Sequence, residues 1–287
     1  MLTFNYKIGF LSVTERVGKG NASYLMEPKT HISLNMKLFT SNEDLDDFVK
    51  PKDSVCLLIP NYLIDLRQPE ERIFSNMSRS TRRNIRKAIN NDEFILTELE
   101  SPTDGQIMQF GEFYNEFAKE INIKRCNVEK LRAIRDKGAL VISYITNYDH
   151  QVLCAHAYLV NTKQAYGIYS VLRRNKKGDS INGQTIGRAN KYLDWKNIQS
   201  AKRRGCSWYN FGGKIFGEED EKGKNVNQYK KSFGSINGYD VRIYKANGIR
   251  GKIFLLMLHF YYKWRRRHEY AFTFETVSNS QRKRRTS

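Results

Sequence analysis

The chain predicts a mixed α/β fold with an antiparallel-rich sheet, and three observations carry that prediction. The runs ALVISYIT, QVLCAHAYLV and QAYGIYSVL (residues 139–172) are rich in β-branched and aromatic residues, and only NYDH and NTK separate them. Such short, turn-forming spacers make an antiparallel meander. After the polar loop RRNKKGDSINGQ comes TIGRANKYLDWKNIQSAKRRG, a helix with Ile186, Ala189, Tyr192, Leu193 and Ile198 along one stripe and Gly205 as its stop. Third, CSWYNF reads as a strand, NVNQYKKSF as a short helix and GYDVRIYKA as a last strand. Together these make a domain of roughly 140 residues in which strands and helices share one sheet.

Upstream, DSVCLLIPNYLIDL (residues 53–66) reads as strand, a break at Pro60, and strand. RQPEERIFSNMSRSTRRNIRKAI then reads as one helical stretch, with Pro69, Glu70 and Glu71 near its start where the helix dipole favours negative charge. At 3.6 residues per turn, Arg79, Arg82, Arg83 and Arg86 share one face, opposite Met77, Thr81, Ile85 and Ala88. Residues 103–123 are helical in period, with Ile107, Phe110, Tyr114 and Phe117 on one stripe.

Of the 287 residues, 40% are hydrophobic and 13% aromatic, enough for a packed core and unlike a disordered chain. The net charge of +19 favours anionic partners. It is uneven: from Arg250 onward ten Lys/Arg face two Glu, so this segment alone holds +8. Cys56, Cys126, Cys154 and Cys206 lack the spacing of a disulfide framework or zinc site, so no metal is expected. MLTFNYKIGFLSV has neither the apolar run nor the cleavage site of a signal peptide, and IFLLMLHFYY is about half a membrane span. A cytoplasmic location is expected. GFLSVTERVGKGN lacks the Ser/Thr of a phosphate-binding loop. Cys154 and His156 share a strand face, which fits core packing better than a nucleophile pair.

LIDLRQPEERIFSNMSRSTRRNIRKA, WYNFGG and QYKKSFGS occur in the order and spacing of the FemABX-like branch of the GNAT acyltransferases. The chain resembles that branch over roughly residues 53–244. The resemblance implies two GNAT-like halves: a reduced one over residues 1–102, holding the basic helix 70–90, and a complete one over 103–248. A basic amphipathic segment, 249–287, follows, read either as a helix lying on an anionic membrane surface or as a helix packed on the first half of the protein with a solvated basic end. Asn210 stands where the family usually has Asp, Tyr229 where it has Phe, and Ser232 and Ser235 replace glycines. The helical-hairpin arm of the peptidoglycan-bridge enzymes is missing, and RRNKKGDSINGQTIG does not preserve the GNAT pyrophosphate loop. The donor therefore stays open between acyl-CoA and aminoacyl-tRNA.

The resemblance further implies transfer of an acyl or aminoacyl group to an amine of a cell-envelope or polysaccharide precursor. That chemistry needs a held carbonyl and charge stabilisation where the tetrahedral oxyanion forms, without a covalent nucleophile. Lys230 resembles the family lysine assigned to that charge, with Tyr229 beside it; the alternative is a solvated pair with Lys231. Tyr209, Gly212 and Gly213 end a strand where bare backbone can approach a ligand, and Tyr169 and Phe233 are placed with them; the alternative is a plain two-glycine turn with the tyrosines in the sheet core. Arg82, Arg83 and Arg86 suit phosphate; the alternative is a solvated face paired to Glu70, Glu71 or Asp92.

The expected partners are a phosphorylated or lipid-linked amino-sugar or peptidoglycan precursor, tRNA, and an anionic membrane surface, on which the protein would sit peripherally. DNA is not expected, because no helix-turn-helix partner accompanies the basic helix. Two rival readings are an RNA-binding protein and a membrane-attached interaction protein, each on an inactive acyltransferase fold.

Overall fold

Ten strands and seven helices make up the described part of the computed structural model, which comprises residues 1–18, 29–40, 45, 48–174, 181–215 and 221–266. The last three residues of GFLSVTERVGKGN (19–21), half of the loop RRNKKGDSINGQ (175–180) and the basic terminus from 267 on lie outside those residues. The strands are β1 (Leu2–Ile8), β2 (Leu11–Val17), β3 (Ile32–Phe39), β4 (Ser54–Asp65), β5 (Ile95–Leu99), β6 (Leu140–Thr146), β7 (Val152–Val160), β8 (Gln164–Leu172), β9 (Trp208–Gly213) and β10 (Ile236–Ala246). The helices are α1 (Glu70–Asn76), α2 (Arg79–Asn91), α3 (Asp104–Glu120), α4 (Val128–Arg135), α5 (Gly183–Arg203), α6 (Glu221–Lys231) and α7 (Gly248–Arg266).

Two compact units share these elements. The first comprises residues 1–62, 213–229 and 236 onward. Its strands lie in the order β1-β2-β3-β10-β4. β1 pairs antiparallel with β2, β2 parallel with β3, and β10 antiparallel with β3. Its core includes Phe4, Val13, Ile32, Met36, Cys56, Val241 and Ile243.

The second unit comprises residues 63–212 and 230–235. From the end of β4 its strands run β4-β9-β8-β7-β6-β5. β6 to β8 pair antiparallel, as the turn-rich spacers predict; β5, which the sequence reading did not foresee, pairs antiparallel with β6, and β8 pairs parallel with β9. Ile186, Ala189, Leu193 and Ile198 of α5 are buried, as their stripe predicts, and Gly205 ends that segment at φ +76°. Thr103 and Gln106 cap α3 reciprocally.

Two local expectations are corrected. β4 runs unbroken through Pro60: proline removes one donor but adopts an extended backbone, and its carbonyl still accepts from Lys214 N at 2.7 Å. The helical stretch 67–89 is two helices, because Ser78 caps α2 by accepting from Thr81 N. Arg82 Nη1 donates to the carbonyls of Ser75 (2.6 Å) and Met77 (2.5 Å), satisfying acceptors that the end of α1 leaves open. Thr81, Ile85 and Ala88 are buried as expected, and Met77 is buried in the break.

Candidate functional site

The second unit gathers its buried polar side chains where α5 covers the sheet. Asn190, Asp194 and Asn197, at i, i+4 and i+7, interrupt the apolar stripe of α5 and are all buried. His156 of β7 lies between the two asparagines. Its Nε2 is 2.9 Å from Asn190 Oδ1 and its Nδ1 is 3.0 Å from Asn197 Nδ2. Ser143 donates to Asn197 Oδ1 at 2.7 Å, which turns the Asn197 amide toward His156 and fits a ring carrying its proton on Nε2. Cys154 is fully buried, and its thiol is pushed well above the ordinary range by burial and then by Asp194. This is core packing, not a nucleophile pair.

Asp194, 4% exposed, joins this network to the catalytic candidates. Tyr209 of β9, 3% exposed, donates its hydroxyl to Asp194 Oδ1 at 3.0 Å. Burial, followed by the Asp194 carboxylate, pushes the Tyr209 phenol well above its ordinary range. Tyr209 therefore stays a neutral donor and supports Asp194 from inside the core. The ammonium of Lys230 is coupled to the same carboxylate. Burial lowers its pKa to about 8 from the ordinary 10.5, and Asp194 pulls in the opposite direction. Lys230 is half-buried, while Lys231 is exposed.

The segment carrying Lys230 is pinned to α2. Ser78 N donates to Ser232 O at 2.8 Å, and Thr81 Oγ1 donates to Ser232 Oγ at 2.8 Å. Ser235 Oγ donates to Lys230 O at 3.0 Å. Both serines that depart from the family pattern thus make hydrogen bonds a glycine lacks. Gly234 has φ +73°, and a Cβ there would stand 2.6 Å from Asn76 O, so this position needs glycine twice over. Phe233 is buried, its ring 5.3 Å from that of Phe211.

β8 and β9 pair over only three residues, ending at Tyr166 and Asn210, although both strands continue. Past that point the two backbones stay close: a Cβ on Gly212 would stand 3.5 Å from the Gly167 carbonyl oxygen. Gly212 sits at φ +77° with its N–H donating to Asn210 Oδ1 at 2.8 Å. The Asn210 amide donates to Gln164 Oε1 at 3.0 Å, a bond an aspartate does not provide. A register shift in the β7–β8 ladder sets Tyr158 opposite Gly167 and Ala157 opposite Tyr169, leaving Ile168 as the extra residue. Tyr169 packs on Tyr114 at 4.7 Å, and its hydroxyl accepts from Asn127 N at 3.0 Å.

Lys230, Tyr209, Gly212 and Phe233 lie in one unit with Asp194, which sequence reasoning missed and which accepts from Tyr209 and acts electrostatically on Lys230. Tyr169 lies against α3 and the start of α4. Tyr229, half-buried, and Gly213 belong to the other unit, where a Cβ on Gly213 would stand 2.9 Å from Ile59 Cγ2. The readable signal for Asp194 was a polar residue on the apolar stripe of α5.

The basic face of α2 forms a second feature. Arg79, Ser80, Arg82, Arg83 and Arg86 line an open hollow of about 770 Å³. Among the described residues, none of these arginines makes an ion pair with a carboxylate: Asp92 pairs with Arg188 instead, at 2.6 Å. Arg86 stacks its guanidinium 5.4 Å from the Phe74 ring. Lys191 of α5 adds to the cluster, its pKa lowered by burial and then by Arg83. Among the described residues no metal-binding group of side chains occurs.

Neither protein-family models nor curated protein sequences give a match to this chain. Solved structures do. The crystal structure of FemX is 9% identical, with 83% of each chain covered and a TM-score of 0.53. A conserved protein of unknown function from Bacteroides thetaiotaomicron VPI-5482 is 10% identical, with 85% of this chain and 82% of the other covered and a TM-score of 0.50. The chain has a FemX-like fold.

Proposed function

We propose that the protein is an N-acyltransferase or aminoacyltransferase that modifies an amino group on a cell-envelope or polysaccharide precursor. The observation that carries this reading is a half-buried lysine whose charge is supported by the carboxylate of a buried aspartate, itself held by the Tyr209 hydroxyl, in a fold of the FemX type. The attacking amine forms a C–N bond to the donor carbonyl, the carbonyl carbon's bond to the donor sulfur or ribose oxygen breaks, and the proton the amine loses ends on that leaving group, which departs as the thiol or hydroxyl. Between formation and collapse the carbonyl oxygen carries negative charge. The Lys230 ammonium supplies the opposing charge, in a setting drier than water where it counts for more. Asp194 keeps that lysine protonated more than burial alone allows, and Tyr209 fixes Asp194.

The arginine hollow takes the phosphates carried by an activated sugar, a lipid-linked precursor or a donor. Acyl-CoA and aminoacyl-tRNA are the two donors considered, and both point to cytoplasmic chemistry. No step calls for a metal.

Thermal unfolding at moderate salt, with and without millimolar CoA and acetyl-CoA, tests this first. A ligand at about a hundred times its Kd stabilises by ~2.7 kcal/mol. A rise with CoA assigns an acyl-CoA donor. A rise with charged but not uncharged tRNA assigns aminoacyl transfer. Response to neither, with equal and steeply salt-dependent binding of any RNA, removes the transferase reading.

A further inference from the structure

We infer that α7 is a membrane-surface element that lays an apolar stripe into an anionic lipid leaflet. α7 packs on β10 in the first unit. Gly251 fixes the contact: it is buried, and a Cβ there would stand 2.2 Å from the His31 carbonyl oxygen, so only bare backbone approaches this closely. The outward side of the same helix is apolar. Ile249 (78% exposed), Ile253, Leu256, Met257 (60%) and Phe260 (57%) recur at i, i+4, i+7, i+8 and i+11, which is one continuous stripe. Five large apolar side chains in a row on a docked helix are a surface built for contact, unlike the singly scattered apolar residues of ordinary surfaces.

Charge identifies the occupant. Residues 248–266 contain no Asp or Glu. Exposed Arg250 and Lys252 stand at one end of the stripe, and the sequence places Lys263, Arg265, Arg266 and Arg267 beyond the other, with Trp264 among them. A second copy of this chain packed on the stripe would bring like charges together at its ends. An anionic lipid surface neutralises both ends while taking up the apolar side chains between them. Among the described residues no helix is long and apolar enough to cross a membrane, so α7 lies along the surface. The inference is independent of the transfer chemistry.

Co-sedimentation of the full chain with vesicles tests it, using phosphatidylcholine alone and phosphatidylcholine with one-third phosphatidylglycerol. The expected result is binding to the mixed vesicles that weakens with salt and falls at least about tenfold in the double variant Leu256→Glu, Met257→Glu. Both residues are exposed, so the variant keeps the wild-type thermal melt. Undiminished binding by that variant, or no binding by the wild type, overturns the inference. So does loss of binding in Arg83→Glu, Arg86→Glu with the stripe intact, which assigns the lipid contact to the arginine hollow. Light scattering gives the remaining outcome: a dimer abolished by the stripe variant assigns the face to a second copy and overturns the lipid reading.

Discussion

Replacing Lys230 by methionine removes one half-buried charge and keeps most of the side chain's volume. Burial lowers this lysine from 10.5 to about 8. At about 1.4 kcal/mol per pH unit, that gap is an upper limit of roughly 3.5 kcal/mol held against the charged form. The lysine keeps some solvent contact, so about 1.5–3 kcal/mol is the working range. Between about pH 8 and 10.5 the unfolded chain binds this proton and the native one does not. Wild-type stability therefore rises with pH across that window. The penalty is fully present below about pH 8 and gone above about pH 10.5.

Lys230→Met is accordingly more stable than wild type at neutral pH, and the two converge as pH climbs through the window. Urea unfolding of both proteins at about pH 7, 9 and 10.5 reads the difference, and the subtraction cancels every other titrating group. Parallel curves for the two proteins refute the burial argument. Turnover separates stability from chemistry: the variant is expected to lose at least ~100-fold in kcat, the scale of a lost oxyanion donor. Near-wild-type turnover removes Lys230 from the reaction.

Three further variants probe the surroundings. Gly234→Ala forces a left-handed residue and a Cβ onto the Asn76 carbonyl, so a loss of about 2 kcal/mol or more is expected by chemical denaturation; an unchanged midpoint contradicts the close approach. Tyr209→Phe leaves Asp194 short of one buried donor. Stability should fall by about 1–2 kcal/mol, read by urea unfolding, and an unchanged midpoint contradicts the buried bond. Arg83→Glu, Arg86→Glu should raise acceptor KM by about tenfold or more with a smaller change in kcat. An unaltered KM makes these arginines a solvated face.

The β6–β7–β8 meander and α5 were legible because their signals are local: turn residues between β-rich runs, and one apolar stripe ended by Gly205. Pro60 misled because a proline is a strong local mark, yet the ladder on either side holds the strand straight through it. The break at Ser78 was written in a capping residue but overshadowed by the arginines that follow. β10 lies between β3 and β4, far from both in the chain, and no local pattern carries that information. Lys230, Tyr209, Gly212 and Phe233 came from motif resemblance. Asp194, Asn190 and Asn197 were missed because a stripe was read for its apolar members alone. Asn210, Ser232 and Ser235 look like losses until their partners, Gln164, Thr81 and the Lys230 carbonyl, are seen.

The position of β10 has a consequence for how the chain is made. β3 and β4 each keep one unpaired edge until residues 236–246 have been synthesised, since β10 lies between them. At about 5–20 residues per second, the first sixty residues wait on the order of ten seconds or more with an open strand edge, while the second unit, nearly continuous in the chain, can fold around its meander. Nascent chains arrested shortly before Ile236 should therefore resist protease in residues 63–212 and remain cleavable before Ser54.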